Sequence, residues 1–432
     1  MQRLQAIVIM VVIVVAVGCS EPAEQADPPD NDTGRATACA GLELIECARL
    51  STVGSLVPDT PVQATGEPLV LGMVNQENTP VGSFPELSAS VQAAAAFVNA
   101  ELGGVGGRPV VIEVCNTNFS AEGSTACGQR FAEQQVPVVL GGIDIFGNAV
   151  DVLEANSIPY VGGIPVSGQS VTAANAFQWS GGTWGATVAF ADYADTALDV
   201  ESVAIVFGEF GSIADSADYG RTVLESRGIA TTMVPYPIVT TDLTSPLTAA
   251  VSSDPDALFV LAADTGCKAA FDGVQTLGIE VPVFYVGACA SPNIVASVPA
   301  ASTDGAYFNV EGPVSTTNPM PDFALYAGVL ETYGDGLDPV GAATVSFRSF
   351  MNLWALLVAA DGAVDADSIT AALSAQVDTP SFMGHPYTCD REQFPGLPAM
   401  CSPQQIMVQM SDRQVTQIGD WIDVGAVYAA AR

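Results

Sequence analysis

Residues 136–163, VPVVLGGIDIFGNAVDVLEANSIPYVGG, read as one unit. A short apolar run ends in Gly141 and Gly142, Asp144 sits in the loop that follows, 149–155 carries helical spacing, and a second apolar run closes at Gly162 and Gly163. The pattern recurs at 257–288, ALFVLAADTGCKAAFDGVQTLGIEVPVFYVGA, with Asp264 after the first run. Strand–loop–helix–strand units of this kind build parallel sheets, because two parallel strands need a long crossover. Their loops gather at the carboxyl ends of the strands, where open parallel sheets bind ligands. Two matching units about 120 residues apart predict two similar α/β lobes with a cleft between them.

A chain of 432 residues is long enough for two such domains. Acids outnumber bases 47 to 12, the net charge is −35, and Lys268 and His385 are the sole lysine and histidine. A surface so poor in cations excludes nucleic acid as a partner. The acidity is read as a solubility device; selection of a cationic ligand is the other reading.

The amino terminus reads as a signal peptide over 1–18. Arg3 supplies the positive charge, and 6–17 is an apolar run of 12, too short to span a bilayer as a helix. Ala16, Val17 and Gly18 before Cys19 resemble a bacterial lipobox, so Cys19 is the expected lipidation site and membrane anchor. Eight cysteines then remain in an exported chain, which predicts disulfides. Eight cysteines allow 105 pairings; their spacing suggests Cys39–Cys47, Cys115–Cys127, Cys267–Cys289 and Cys389–Cys401. There is no CxxC, and His385 has no histidine partner, so no metal or other cofactor is expected.

Residues 19–68 are acidic and Pro-rich and predict a tether, with a small Cys39–Cys47 element within it. The body starts with the apolar run LVLGMV at 69–74. Ser83 to Glu86 resembles a capping box before a helix that ends at the glycines 103–107. FQWSGGTWG at 177–185 predicts a hinge crossing. Helices are expected at 218–227, 243–252, 322–333, 342–360 and 368–375, and a closing hairpin at 405–419.

The order of these segments resembles a known family. FVNAELGGVGGRPVVIEVCNTN (97–118), VAIVF (203–207), DPDALFVLAAD (254–264) and SFMGHPYTC (381–389) are similar to landmarks of the type I periplasmic binding proteins of the leucine/isoleucine/valine-binding group. The resemblance covers about 69–424. It implies two doubly wound parallel-sheet lobes joined by a three-segment hinge, closing on a small-molecule ligand. It places lobe one at 69–180 with 312–385, and lobe two at 183–308 with about 386–432 contributing. It implies a monomer outside the cytoplasm that hands its ligand to ABC permease subunits in the membrane.

In amino-acid-binding members a Ser-rich loop follows the third strand and an Ala/Thr loop the fourth. Here those positions read Ile143, Asp144, Ile145, Phe146, Gly147 and Gly163, Ile164, Pro165, Val166, Ser167. A family tyrosine after the first strand of lobe two is replaced by the run Gly208, Glu209, Phe210, Gly211, and a family acid falls near Ala288 and Cys289. The α-amino-acid pocket is therefore not implied. Candidate polar ligand contacts are Asn75, Gln76, Asp144, Ser167, Glu209 and Asp264, with Phe84, Ile145, Phe146, Ile164, Trp184, Phe210 and Ala288 as walls. Asp144 and Asp264 both precede helices, where capping alone favours aspartate. The excess of acids predicts a small polar, nitrogen-containing solute such as an amino acid, amide or urea. No catalytic role is expected: GxSxG is absent and His385 lies in an MGHPYTC turn. The same fold in a sensor that reports ligand to a signalling partner is the alternative reading.

Overall fold

The computed structural model describes residues 38–79, 82–314, 320–339, 341–360 and 364–432. The signal peptide and Cys19 lie outside the described residues.

Twelve strands form two sheets. β1 (Leu69–Asn75), β2 (Val110–Asn116), β3 (Val139–Gly141), β4 (Tyr160–Val161) and β5 (Ala176–Phe177) build the first, in the order β2-β1-β3-β4-β5 and all parallel. β6 (Ser202–Gly208), β7 (Ala230–Tyr236), β8 (Ala257–Leu261), β9 (Val283–Tyr285) and β10 (Tyr307–Val310) repeat that order as β7-β6-β8-β9-β10. β11 (Ile406–Ser411) and β12 (Gln414–Gln417) extend the second sheet antiparallel. The two sequence units thus occupy the third and fourth positions of equivalent half-sheets. Pro235, which lacks an amide donor, falls on β7 at the sheet edge, where the missing bond is tolerated.

The apolar runs of β1, β6 and β8 are buried along nearly their whole length, as parallel strands covered on both faces require. In lobe one, helices Pro85–Glu101, Pro321–Tyr333 and Ala343–Ala359 pack together, and helices Ala121–Gln134 and Asn148–Ala155 pack with each other. In lobe two, Gly182–Leu198, Ser212–Ser226 and the C-terminal helix Val424–Ala431 form one layer, and Thr244–Val251 and Asp264–Leu277 the other. All four expected disulfides are present. Among the described residues no helix is long and apolar enough to cross a membrane.

Three expectations change. From residue 38 onward the tether is structured. Helix Leu44–Leu50 packs against helix Pro321–Tyr333, burying Ile45, Cys47 and Ala48. The Thr52 amide and hydroxyl donate to the Asp322 carboxylate at 2.7 and 2.6 Å. Downstream, the Val62 amide donates to the Glu101 carbonyl at 2.8 Å. A helix of seven residues is too short to stand out beside a Pro-rich stretch, and the partner of Thr52 lies 270 residues on. The capping box at Ser83 does not form: Phe84 is the N-cap residue without a side-chain cap, and the Ser83 hydroxyl accepts from the Asn78 amide. The helix expected from 218 begins at Ser212; the added turns bury Ser212, Ile213, Ser216 and Ala217, and the Ser212 hydroxyl donates to the Val166 carbonyl of lobe one.

The chain passes between the lobes at 178–181, 311–314 and 402–405. Gly182 makes the first passage feasible. Its φ is +54°, and a Cβ there would lie 2.2 Å from the Pro165 carbonyl oxygen.

Candidate functional site

A cavity of about 250 Å³ lies between the sheets. Its walls are the loops leaving the carboxyl ends of the strands. Lobe one supplies Phe84, Ile143, Ile145, Ile164 and Val166. Lobe two supplies Ile213, Ala262, Ala263, Val286, Ala288 and Ala290. The lining is mostly apolar, and the volume is small beside the roughly 300–1,000 Å³ of common ligand pockets. The polar lining side chains are Ser180, Thr183, Asn309, Glu311, Thr344 and Arg348, with Ser180 and Glu311 on the crossings themselves.

Of the residues expected at the site, Phe84, Ile145, Ile164 and Ala288 line the cavity. The polar candidates serve its framework instead. Asn75 is wholly buried at the end of β1. Its Nδ2 donates to the Phe84 carbonyl at 2.8 Å, and its Oδ1 accepts from the Ile143 amide at 3.1 Å. It thereby fixes two cavity walls without entering the cavity. The Gln76 amide group donates to the Gly82 carbonyl at 2.9 Å. Ser167 caps the short helix Gly168–Thr172, its hydroxyl accepting from the Ser170 amide at 3.3 Å.

Asp144 turns away from the lining into lobe one, where its carboxylate accepts from the Ser124 hydroxyl at 2.6 Å and the Phe146 amide at 3.3 Å. Burial pushes its carboxyl pKa above the ordinary aspartate range, against the lowering effect of Ser124 and of the Gly147 and Phe146 amides. Glu209 is exposed. Trp184 is buried in the lobe-two core. Asp264 opens helix Asp264–Leu277, and its side chain lies outside the described residues. Phe146 and Phe210 do not line the cavity; their rings meet each other at 5.3 Å between centroids.

The crossings carry residues that the sequence reading did not select. The Arg348 guanidinium donates to the Glu311 carboxylate at 2.6 Å and to the Trp179 carbonyl at 3.0 Å. The other Glu311 oxygen accepts from the Ser180 hydroxyl at 2.8 Å, the Gly181 amide at 2.9 Å and the Gln405 side chain at 3.0 Å. One carboxylate therefore joins all three crossings to the lobe-one helix that carries Arg348. Among the described cavity-lining residues, Arg348 Nε and the Thr183 hydroxyl are buried without a hydrogen-bond partner. A signal for Arg348 was available: it is the one charged residue in the otherwise uncharged helix Ala343–Ala359.

Residues 68–396 match the family described as periplasmic binding protein. No curated protein sequence matches the chain. Among solved structures, a possible leucine/isoleucine/valine-binding protein from Rhodopirellula baltica is 14% identical with TM-score 0.71, over 84% of this chain and 98% of its own. A solute binding protein of an ABC transporter from Rhodopseudomonas palustris, in complex with p-hydroxybenzoic acid, is 18% identical with TM-score 0.68, over 84% and 99%. The branched-chain amino acid transporter substrate binding protein from Streptococcus pneumoniae, in complex with isoleucine, is 14% identical with TM-score 0.67, over 82% and 100%. At these identities the likeness is one of fold.

Proposed function

The chain belongs to the periplasmic binding protein family, and from that premise we propose that it is the solute-binding component of an ABC importer, held outside the cytoplasm by a lipid on Cys19. It captures its solute and delivers it to permease subunits, without catalysis. The observation that carries this reading is the small cavity walled by strand-end loops of both lobes. Such a cavity binds by closure, since neither lobe alone surrounds the solute.

The lining favours a compact solute with a largely apolar body. The nitrogen-rich solute expected from the excess of acids has less support. Asp144 is committed to Ser124, Glu209 faces solvent, and the buried Glu311 already accepts from four groups. Two of the buried donors without partners, Arg348 Nε and the Thr183 hydroxyl, belong to cavity-lining residues and suit a solute bearing one hydrogen-bond acceptor. Structural relatives hold p-hydroxybenzoic acid and isoleucine, both compact and partly apolar.

A thermal-shift panel tests the reading, using hydroxybenzoates, branched aliphatic acids, branched-chain amino acids, amides, urea and polyamines. A solute at 100 times its Kd stabilises the fold by roughly 2.7 kcal/mol. The strongest shift is expected from a carboxylate with an apolar body. A response confined to polyamines and urea would return the ligand to the nitrogen-rich class. Mass spectrometry of the protein extracted from membranes tests acylation at Cys19, with Cys19→Ser releasing the protein.

A further inference from the structure

The two lobes meet at a second place, outside the cavity. Phe210 follows β6 in lobe two. Its ring stands edge-on to Phe146 of lobe one, 5.3 Å between centroids at 84°, and lies 5.8 Å from Phe119 of lobe one. Phe119 and Phe146 meet each other edge-on at 5.5 Å. The three rings come from the loops after β2, β3 and β6. Phe210 packs against the hydrophobic core of lobe one although it belongs to lobe two. Just beyond it, the Ser212 hydroxyl donates to the Val166 carbonyl across the same seam.

Backbone conformation marks Phe119 as placed at a cost. Asn118 and Phe119 adopt φ of +52° and +51° in succession. Asparagine tolerates that region, whereas an aromatic residue is rarely found there. Strain of this kind persists where the surroundings fix it, and it concentrates at functional segments. The two residues are the centre of a turn closed by the Ser120 amide donating to the Thr117 carbonyl at 3.1 Å. The turn carries the Phe119 ring onto the seam, where Phe146 and Phe210 complete the contact.

We propose that Phe119, Phe146 and Phe210 form a clasp between the lobes that sets the balance between open and closed forms, and through it the affinity for the solute. The proposal rests on the reading of the chain as a protein that binds by lobe closure. None of the three rings lines the cavity, so they act on the solute only through the closed population and are positioning residues. A protein whose competent form is a fraction of the total binds more weakly by that fraction. The clasp raises that fraction before any solute arrives. The contacts are also apolar and non-directional, so they apply equally to any solute the cavity admits and leave its selectivity to the lining.

The ligand-free protein tests this directly, so no solute need be known. Small-angle scattering reads lobe separation in the wild type, Phe210→Ala, Phe119→Gly and Phe210→Tyr. Hydrogen exchange reads the amides at 144–147 and 209–212. The wild type and Phe210→Tyr are expected to scatter as the closed form. Phe210→Ala and Phe119→Gly are expected to expand, with exchange at those amides faster by about tenfold, the equivalent of about 1.4 kcal/mol. Phe119→Gly also relieves the backbone strain, and because Phe119 packs against the lobe-one core, urea denaturation of each variant separates an opened but folded protein from a destabilised one. Equal scattering and exchange in all four proteins would overturn the clasp, as would a wild type already open. Neither result would touch the importer reading, which the solute panel decides separately.

Discussion

The Arg348 guanidinium and the Glu311 carboxylate meet at 2.6 Å at the centre of the three crossings, with side chains only 4% and 9% exposed. Burying two charges is costly unless each is paired and its remaining valences are filled. Here Glu311 also gathers donors from Ser180, Gly181 and Gln405. The pair thus fixes how the crossings lie beside one another.

Glu311→Ala is expected to destabilise the protein by about 3–5 kcal/mol, because Arg348 would stay buried without its counter-charge. Adding Arg348→Met should recover part of that loss. Recovery is incomplete because the Ser180 hydroxyl and the Gly181 amide still lack an acceptor. Urea denaturation of the two single variants and the double variant gives the coupling. Strictly additive losses would mean the pair acts as two independent residues.

Asp144 gives a pH dependence of known sign. Its folded pKa is raised by burial, so the native state holds the proton more tightly than the unfolded chain, whose value is near 3.8. Ionised Asp144 therefore costs stability above its raised pKa. That cost fades as pH falls through the raised value toward 3.8. Asp144→Asn is expected to flatten this part of the stability curve and to gain most at neutral pH. Denaturation at several acidic and neutral pH values checks it; a variant curve parallel to that of the wild type would contradict it.

The Cys267–Cys289 disulfide joins the helix after β8 to the turn after β9, next to the cavity residues Ala262, Ala263, Ala288 and Ala290. Closing a loop of 22 residues stabilises by roughly 3 kcal/mol in the chain-entropy account. Replacing both cysteines by alanine should lower Tm accordingly. It should also weaken binding of whichever panel solute stabilises the wild type, since two cavity walls lose their tie. Calorimetry with and without that solute separates the two effects.

Ala288→Phe is expected to fill the cavity. The residue sits in the turn Gly287–Ala290 and lines the space from the lobe-two side. A ring there occupies much of a cavity of about 250 Å³. Overpacking should cost about 1–3 kcal/mol, leaving the fold intact. The solute-induced thermal shift should vanish. A retained shift would place the solute elsewhere.

Much of this architecture was legible in the chain itself. Apolar runs ending in small residues, each followed by helical spacing, point to parallel βα units, because the pattern of each unit is local. Their recurrence at 136–163 and 257–288 therefore foretold two half-sheets of equal topology. Close cysteine spacing likewise marked four bridges that the fold contains. The apolar candidates Phe84, Ile145, Ile164 and Ala288 reached the cavity because they sit in loops at strand ends.

Which polar group faces a solute and which faces the framework is decided by tertiary contacts. Asn75 and Asp144 lie beside the cavity walls, yet partners 68 and 20 residues away draw their side chains inward. The junction of Glu311, Arg348, Ser180 and Gln405 brings together groups from four distant segments, with no local pattern to announce it. The same is true of Phe119, whose ring matters only once Phe146 and Phe210 arrive from elsewhere in the chain. A sequence determines the period of its own elements, since that depends on neighbours along the chain. The direction in which a buried polar or aromatic side chain spends its contacts depends on neighbours in space, and only the folded structure supplies them.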